Sequence, residues 1–294
     1  MSTLRELKSR IGSVASTQKT TSAMKMISSA KMRKATTGLQ RLSPYRDMVS
    51  QVISHLLLTD QQFDSPLIAE RGVQRLTLVV FGSDDGLCGA FNINIFKQLL
   101  KALNDARKQW GNGLKVTIIP VGKKLTKAAQ KLNIDNVTVR TTDINTRSDA
   151  EQLHTFTEQL RADFIDGTVD RVELLYMHFI STSRQRFARD QFLPVSTEAL
   201  QSQVDARLAA APCLFEPSAA DIFGSVLPLH MRAMMQEVFT ESAASEQASR
   251  VMAMQTASDN ASELLDALNL EYNKLRQQSI TTELLDIIGG QIQR

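Results

Sequence analysis

From Leu229 to Ile288 the chain runs for 60 residues without a glycine or a proline. As one continuous helix that stretch would reach roughly 90 Å at 1.5 Å per residue. No globular core built from 294 residues needs such a helix, and helical patterns much longer than about 25 residues point to a coiled coil. Val251, Met254, Ala261, Leu264, Leu268 and Leu275 supply a candidate seam. Small and polar residues between and before them (Ala243, Ala244, Ser245, Ala248, Ser258, Asn260) let a thin partner approach closely. The natural partner is the other end of the same chain.

That end also reads as a long helix. Thr3 and Glu6 stand at capping-box spacing, where each side chain can satisfy a backbone donor of the first turn. Leu4, Leu7, Ile11 and Val14 follow at alternating steps of three and four, the spacing of a coiled-coil seam. The same steps then reach Gln18, Thr21, Lys25, Ser28 and Met32, so the apolar seam fades. A shifted stripe of Ala23, Met24, Ile27 and Ala30 is expected to take over. After Pro44 a helical pattern resumes over 44–58 and stops at the polar stretch Thr59–Pro66, an expected domain boundary.

Charge divides the two ends. Residues 1–46 hold ten Lys or Arg against the single acid Glu6, a local net of +9. Residues 229–294 hold five Lys or Arg against nine acids, a net of −4. Such asymmetry makes the ends attract each other, or turns the basic one toward an acidic partner. One Trp and three Tyr leave little bulk for a wide core, whereas eleven Met suit narrow helical seams.

The centre alternates strands with helices. Leu76–Phe81, Val116–Val121, the weaker Val137–Arg140, Val172–Ile180 and Phe187–Val195 read as strands. Helices are expected from Phe91 to about Trp110, after Gly122, and over roughly Asp149–Phe164. Such alternation is the signature of a parallel, Rossmann-like sheet. Residues 196–211 read as a connector. The expected organisation is a helix over 1–60, an α/β domain with its connector over 70–211, and a helix over 212–294. The fold class is therefore α/β, with the two terminal helices forming a long antiparallel coiled coil.

Little here promises covalent chemistry. The loop Gly82–Gly89 follows a strand and opens a helix, where α/β folds bind phosphates. It matches neither common phosphate-loop pattern, and Asp84 and Asp85 would repel an anion, so a structural turn is the stronger reading. Cys88 stands near a helix N-terminus, where thiolates are favoured, but no His stands at a suggestive distance and a packed small residue is the simpler account. His178 lies in an apolar strand and reads as a satisfied sheet histidine. Cys88 and Cys213 define no disulfide framework, and His55, His154, His178 and His230 lie too far apart to suggest a metal cluster. Catalytic, cofactor and metal residues are thus expected to be absent. No apolar run approaches the roughly 20 residues of a membrane span, and no targeting segment is expected before Leu4. The basic helix could grip nucleic acid, yet its Lys and Arg are spread around the helix among Met, Ala and Ser, which favours a solvated or acidic-partner face.

The strings become specific when taken together. Leu4-Arg5-Glu6-Leu7-Lys8-Ser9-Arg10-Ile11, Thr17-Gln18-Lys19-Thr20-Thr21-Ser22-Ala23-Met24-Lys25-Met26 and Lys31-Met32-Arg33-Lys34 resemble the gamma-subunit family of the F-type ATP synthases. So do Ser83-Asp84-Asp85-Gly86-Leu87-Cys88-Gly89-Ala90-Phe91-Asn92, the run Ser245–Met254 continuing to Ala257-Ser258-Asp259-Asn260-Ala261, and Tyr272–Glu283. The resemblance implies a central-stalk rotor that couples ion-driven rotation of a c-ring to ATP synthesis or hydrolysis at beta subunits. Its partners would be an alternating hexamer of alpha and beta subunits, an epsilon subunit and the c-ring, with no nucleic acid and with membrane contact only through the ring. By position, Met24 and Arg250 would lie near the acidic lever loop of a beta subunit, and Arg276, Gln277, Thr281 and Glu283 would form an upper contact with beta. Phe215-Glu216-Pro217 resembles the segment near the foot that faces the ring and epsilon, with Phe where Tyr is frequent. Asp85 replaces a residue that is often basic, and the cysteine-pair insertion of redox-regulated chloroplast members is missing. A bacterial chain at the cytoplasmic face of the inner membrane is the implied setting. The competing reading is a structural or nucleic-acid-binding coiled-coil protein.

Overall fold

The computed structural model describes residues 3–58, 63–201 and 215–292. Residues 59–62 of the expected boundary, 202–211 of the expected connector and 212–214 at the start of the expected C-terminal helix, Cys213 included, lie outside the described residues. The elements run α1 (Leu4–Leu57), β1 (Arg75–Phe81), α2 (Phe91–Trp110), β2 (Lys115–Val121), α3 (Lys123–Ala129), β3 (Val137–Val139), α4 (Ala150–Ile165), β4 (Arg171–Ser181), β5 (Arg184–Leu193), α5 (Thr197–Gln201) and α6 (Ala219–Ile292). The chain divides into two compact units: residues 1–29 with 250–294, and residues 30–249.

The terminal unit is made of helix alone. The capping box at its start is formed: the Thr3 amide donates to Glu6 Oε2 at 2.9 Å, and the Glu6 amide donates to Thr3 Oγ1 at 3.3 Å. Leu7 is fully buried, Leu4, Ile11 and Val14 are half-buried, and the same register continues through Gln18, Thr21 and Lys25 to buried Ser28. The expected shifted stripe does not take over. Ala23 is exposed, Met26 and Ile27 are 66% and 57% exposed, and only Met24 is half-covered. The opposite segment corrects the expected seam in one place. Val251, Met254, Ala261 and Leu268 are buried, but Leu264 is exposed and its neighbour Leu265 is half-buried. The covered row is thus Val251, Met254, Ser258, Ala261, Leu265, Leu268, Tyr272 and Leu275, an unbroken alternation of three and four. Leu264 would interrupt that alternation, which is why hydrophobicity alone misplaces it.

Both long helices pass through prolines. Pro44 lies inside α1 and Pro228 inside α6. Proline leaves the carbonyl four residues earlier without its helical donor. Those carbonyls belong to Gln40 and Gly224, both at exposed positions where water can serve them. Burial of Val49, Ile53 and Leu56 after Pro44, and of Met231, Met235 and Val238 after Pro228, offsets the loss by tertiary packing.

The second unit is built on a five-stranded sheet of order β3-β2-β1-β4-β5. Four strands are parallel, and β5 runs antiparallel to β4. Only Thr182 and Ser183 separate β4 from β5. So short a link can close a hairpin but cannot make the crossover that a parallel neighbour requires. Along β1 the side chains alternate between two cores: Leu76, Leu78 and Val80 join α2, while Val79 and Phe81 join α4 and the inner parts of α1 and α6. On α2 the buried positions Phe91, Ile95, Leu99, Leu103 and Ala106 repeat at helical spacing. Helix α4 opens on a capping box of Asp149 and Gln152. Asp170, just before β4, pins the start of β1, accepting from the amides of Gln74 and Arg75 at 3.0 and 2.8 Å and from the Arg75 guanidinium at 3.0 Å.

Candidate functional site

The loop after β1 is closed in on itself. Ser83 offers neither its amide nor its hydroxyl to a ligand: the amide donates to Asn92 Oδ1 at 3.1 Å, the hydroxyl donates to the Asp85 carbonyl at 2.8 Å, and Asn92 Nδ2 donates to the hydroxyl oxygen at 2.6 Å. Cys88 is buried beside them, with Asn92 Nδ2 3.4 Å from its Sγ. Backbones approach too closely here for side chains. A Cβ on Gly82 would stand 2.6 Å from Leu125 Cβ, and one on Gly122 (φ +100°) would stand 2.9 Å from the Ser83 carbonyl. Asp84 ties the loop to its neighbours, accepting from the Lys123 amide at 3.0 Å and from the Thr146 amide and hydroxyl at 2.9 and 2.6 Å. Partial burial pushes its carboxyl up, but the Thr146 hydroxyl and the two amides outweigh that and hold it below the usual range. Asp85 meets Arg147 at 3.3 Å on the surface. The cleft beside the loop, 510 Å³, mixes Asp84 and Asp143 with Lys123, Lys124 and Lys127, so it presents no single sign of charge. The arrangement is a fastening between β1, β2 and α4, with its polar groups already used.

His178 is likewise engaged: its Nδ1 lies 2.8 Å from Glu241 Oε2 on α6. His230 is buried, with Nδ1 3.4 Å from the Ser50 hydroxyl. Burial first, and the nearby Arg46 charge second, push the His230 imidazole down to about 4.

The residues expected to meet other subunits are scattered along the terminal unit and one segment of the sheet-bearing unit. Arg276, Gln277, Thr281 and Glu283 all lie on exposed turns of α6. Met24 is half-covered, whereas Arg250 is 6% exposed and belongs mostly to its own chain's interior. Phe215 is half-buried against the core and Glu216 is exposed, just before α6. Sequence reasoning missed a second set of outward residues. Met26, Ile27, Leu264 and Leu270, together with Ile280, Leu284, Leu285, Ile287 and Ile288, are exposed although apolar. Their signal was present: they fall off the three-and-four register of the seam. Among the described residues no helix is long and apolar enough to cross a membrane.

The chain has extensive likeness to known proteins. A family model described as ATP synthase matches residues 3–292. The ATP synthase gamma chain of Bacteroides fragilis is 39% identical over 99% of both chains. The gamma chains of Bacteroides thetaiotaomicron and Xanthomonas oryzae are 36% identical over the full length of both and 34% identical over 97% of both. Among solved structures, the rotor of the Euglena gracilis mitochondrial ATP synthase superposes with a TM-score of 0.63, covering 94% of this chain and 98% of that one at 19% identity. The central stalk of the Tetrahymena thermophila mitochondrial enzyme gives 0.57 over 81% and 99% at 23% identity. At those identities the structures speak for the fold, and the full-length relatives carry the family. None of them supports the alternative of a nucleic-acid-binding coiled-coil protein. By its whole length and by its shared fold, this chain belongs to the ATP synthase gamma-chain family.

Proposed function

We propose that the chain is the central-stalk rotor of an F-type ATP synthase. One observation carries the reading: the terminal unit buries a continuous seam against itself while leaving apolar residues exposed outward (Met26, Ile27, Leu284, Leu285, Ile287). Exposed apolar patches mark surfaces meant for another protein. On a shaft they would meet the inner walls of a hexamer of alternating alpha and beta subunits. A wall that touches methyl and thioether groups makes non-directional contacts, which can be exchanged for equivalent ones as the shaft turns. The seam, held by knobs in holes, keeps the two helices from sliding past each other.

In this reading the chain does no covalent chemistry. Turning the shaft favours a different conformation at each beta site in succession, so nucleotide affinity changes by population shift. Met24, Arg276, Gln277, Thr281 and Glu283 contact beta subunits. Arg250 is reached only by a beta loop that enters the helix groove, because so little of it is exposed. Phe215 and Glu216 lie toward epsilon and the c-ring, and ion flow through that ring drives the turn. The chain is a peripheral protein on the cytoplasmic face of the bacterial inner membrane, held there by the ring. The test is reconstitution with alpha and beta subunits. Added chain restores cooperative ATPase activity and co-purifies with the hexamer; equal assembly and equal activity without it would end the proposal.

A further inference from the structure

Within the sheet-bearing unit, α6 presents four polar residues at strict steps of four: Glu237, Glu241, Ser245 and Ser249. Such a row is a ridge of a helix, the feature that packs into a neighbour's groove. A ridge lying against a core should be apolar, yet Glu237, Glu241 and Ser245 are all buried and Ser249 is half-buried. Each has a partner. Glu237 accepts from Arg46 of α1 at 2.8 Å. Glu241 meets His178 of β4 at 2.8 Å. The Ser245 hydroxyl donates to the Met177 carbonyl of β4 at 2.7 Å, and the Ser249 hydroxyl donates to Gln185 Oε1 of β5 at 3.2 Å. At the tip of the same hairpin, the Thr182 hydroxyl lies 3.7 Å from Met32 Sδ of α1.

This row is a costly way to bury a helix face. Two glutamates four apart repel one another, and burial first, with neighbouring carboxylates after it, drives both carboxyls upward against the partners that hold them down. Leucine at these positions would bury at no such cost, and replacing buried ion pairs by apolar residues is often neutral or stabilising. Apolar contacts without the knobs-into-holes seating of a coiled coil, however, are non-directional and tolerate sliding. Hydrogen bonds weaken steeply when their geometry is sheared. A helix that only had to stay attached to the sheet would not need the row; one that must not twist against it would.

We infer that Glu241, Ser245 and Ser249 are torque-bearing positioning residues, which lock the β4–β5 hairpin to α6 so that the sheet turns with that helix, while Glu237 ties the same ridge to α1. The inference rests on the rotor reading, and its test separates the two. The wild-type chain is assembled with alpha and beta subunits, the hexamer is fixed to a surface, and a bead is attached to the exposed face of α2. Under ATP the bead rotates; a bead that never rotates contradicts the rotor reading itself. Between steps, the angular variance of the bead measures the twist compliance of everything between hexamer and sheet. Ser245→Ala combined with Glu241→Leu removes two of the three seats on the hairpin, and the variance is expected to rise about twofold, since directional bonds are lost while buried contact is kept. The melting temperature of the complex is expected to fall, because the Met177 carbonyl and His178 lose their partners; Leu160→Ala, which lowers it by a cavity away from the row, is expected to leave the variance at the wild-type value. Gln185→Cys with Ser249→Cys, joined by a short bifunctional thiosulfonate, then returns the variance to the wild-type value; Cys213→Ser leaves one reactive pair because Cys88 is buried. Unchanged variance in the double variant, or variance that follows melting temperature, overturns the inference. In the otherwise wild-type chain the same bridge leaves rotation rate unchanged, and a bridge that stops rotation until it is reduced would show that the hairpin moves on α6 and would overturn it too.

Discussion

Leu264 and Leu268 stand one turn apart on α6 and make a paired test of where the seam runs. Leu268 is 7% exposed and Leu264 is 49% exposed. Leu268→Ala removes a nearly buried side chain from a thin seam whose two helices can close much of the gap, a loss of about 2 to 3 kcal/mol, toward the lower end of buried Leu→Ala changes. Leu264→Ala removes atoms already half in water and puts the best helix former in their place, so its cost is about 0.5 kcal/mol or less. The difference of about 2 kcal/mol corresponds to roughly thirtyfold in the equilibrium for local opening. Amide hydrogen exchange over residues 258–275, followed by mass spectrometry in the assembled complex, reads that opening directly. Exchange in the Leu268→Ala chain is expected to accelerate about thirty- to 150-fold, and in the Leu264→Ala chain by less than about threefold. Equal acceleration, or a larger one for Leu264→Ala, would place Leu264 in the seam and refute the register given above.

Three further outcomes follow from the geometry. Gly122→Ala puts a Cβ 2.9 Å from the Ser83 carbonyl at a φ of +100°; a loss of about 3 kcal/mol is expected, seen as a lower midpoint of denaturation, with no loss for an alanine at open Gly113 beyond about 0.5 kcal/mol. His230 has a folded-state value of about 4, below its ordinary 6.5, so the unfolded chain takes up a proton first as the pH falls. Its contribution to stability is therefore intact above pH 6.5 and is lost between 6.5 and about 4, by on the order of 3 kcal/mol. Replacement of His230 by Gln should flatten that part of the urea-midpoint profile, and a profile as steep as wild type would show that other groups set it. Met24→Lys adds a charge to the half-covered face of α1 and is expected to slow bead rotation or lower the yield of rotation per ATP; unchanged coupling counts against the bearing role of that face.

Most elements could be read from the residues, because each carries a local signal. The short apolar runs of β1 and β4, the glycines after β1 and β2, and the capping pair at Thr3 are all short-range patterns. What escaped detection depended on more distant facts. Whether Ile27 faces its own partner helix or the outside is decided by which register the whole helix pair adopts, and the two registers differ there by a single step. The same holds for Leu264 against Leu265. The direction of β5 was implicit in the two-residue link before it, but a strand's own composition does not state its direction. The polar row on α6 was the least visible, since Glu237, Glu241, Ser245 and Ser249 look like a solvated face until the hairpin that covers them is in place.

The function rests on one physical claim, that this chain turns as a body inside other subunits. The direct measurement is the angle of a bead fixed to the exposed face of α2 while alpha and beta subunits, anchored to a surface around the chain, hydrolyse ATP. Steady rotation in one direction, with one pause per beta site and a rate that follows ATP concentration, is the predicted result. A bead that only fluctuates about a fixed angle while the same complexes hydrolyse ATP at full rate would contradict it.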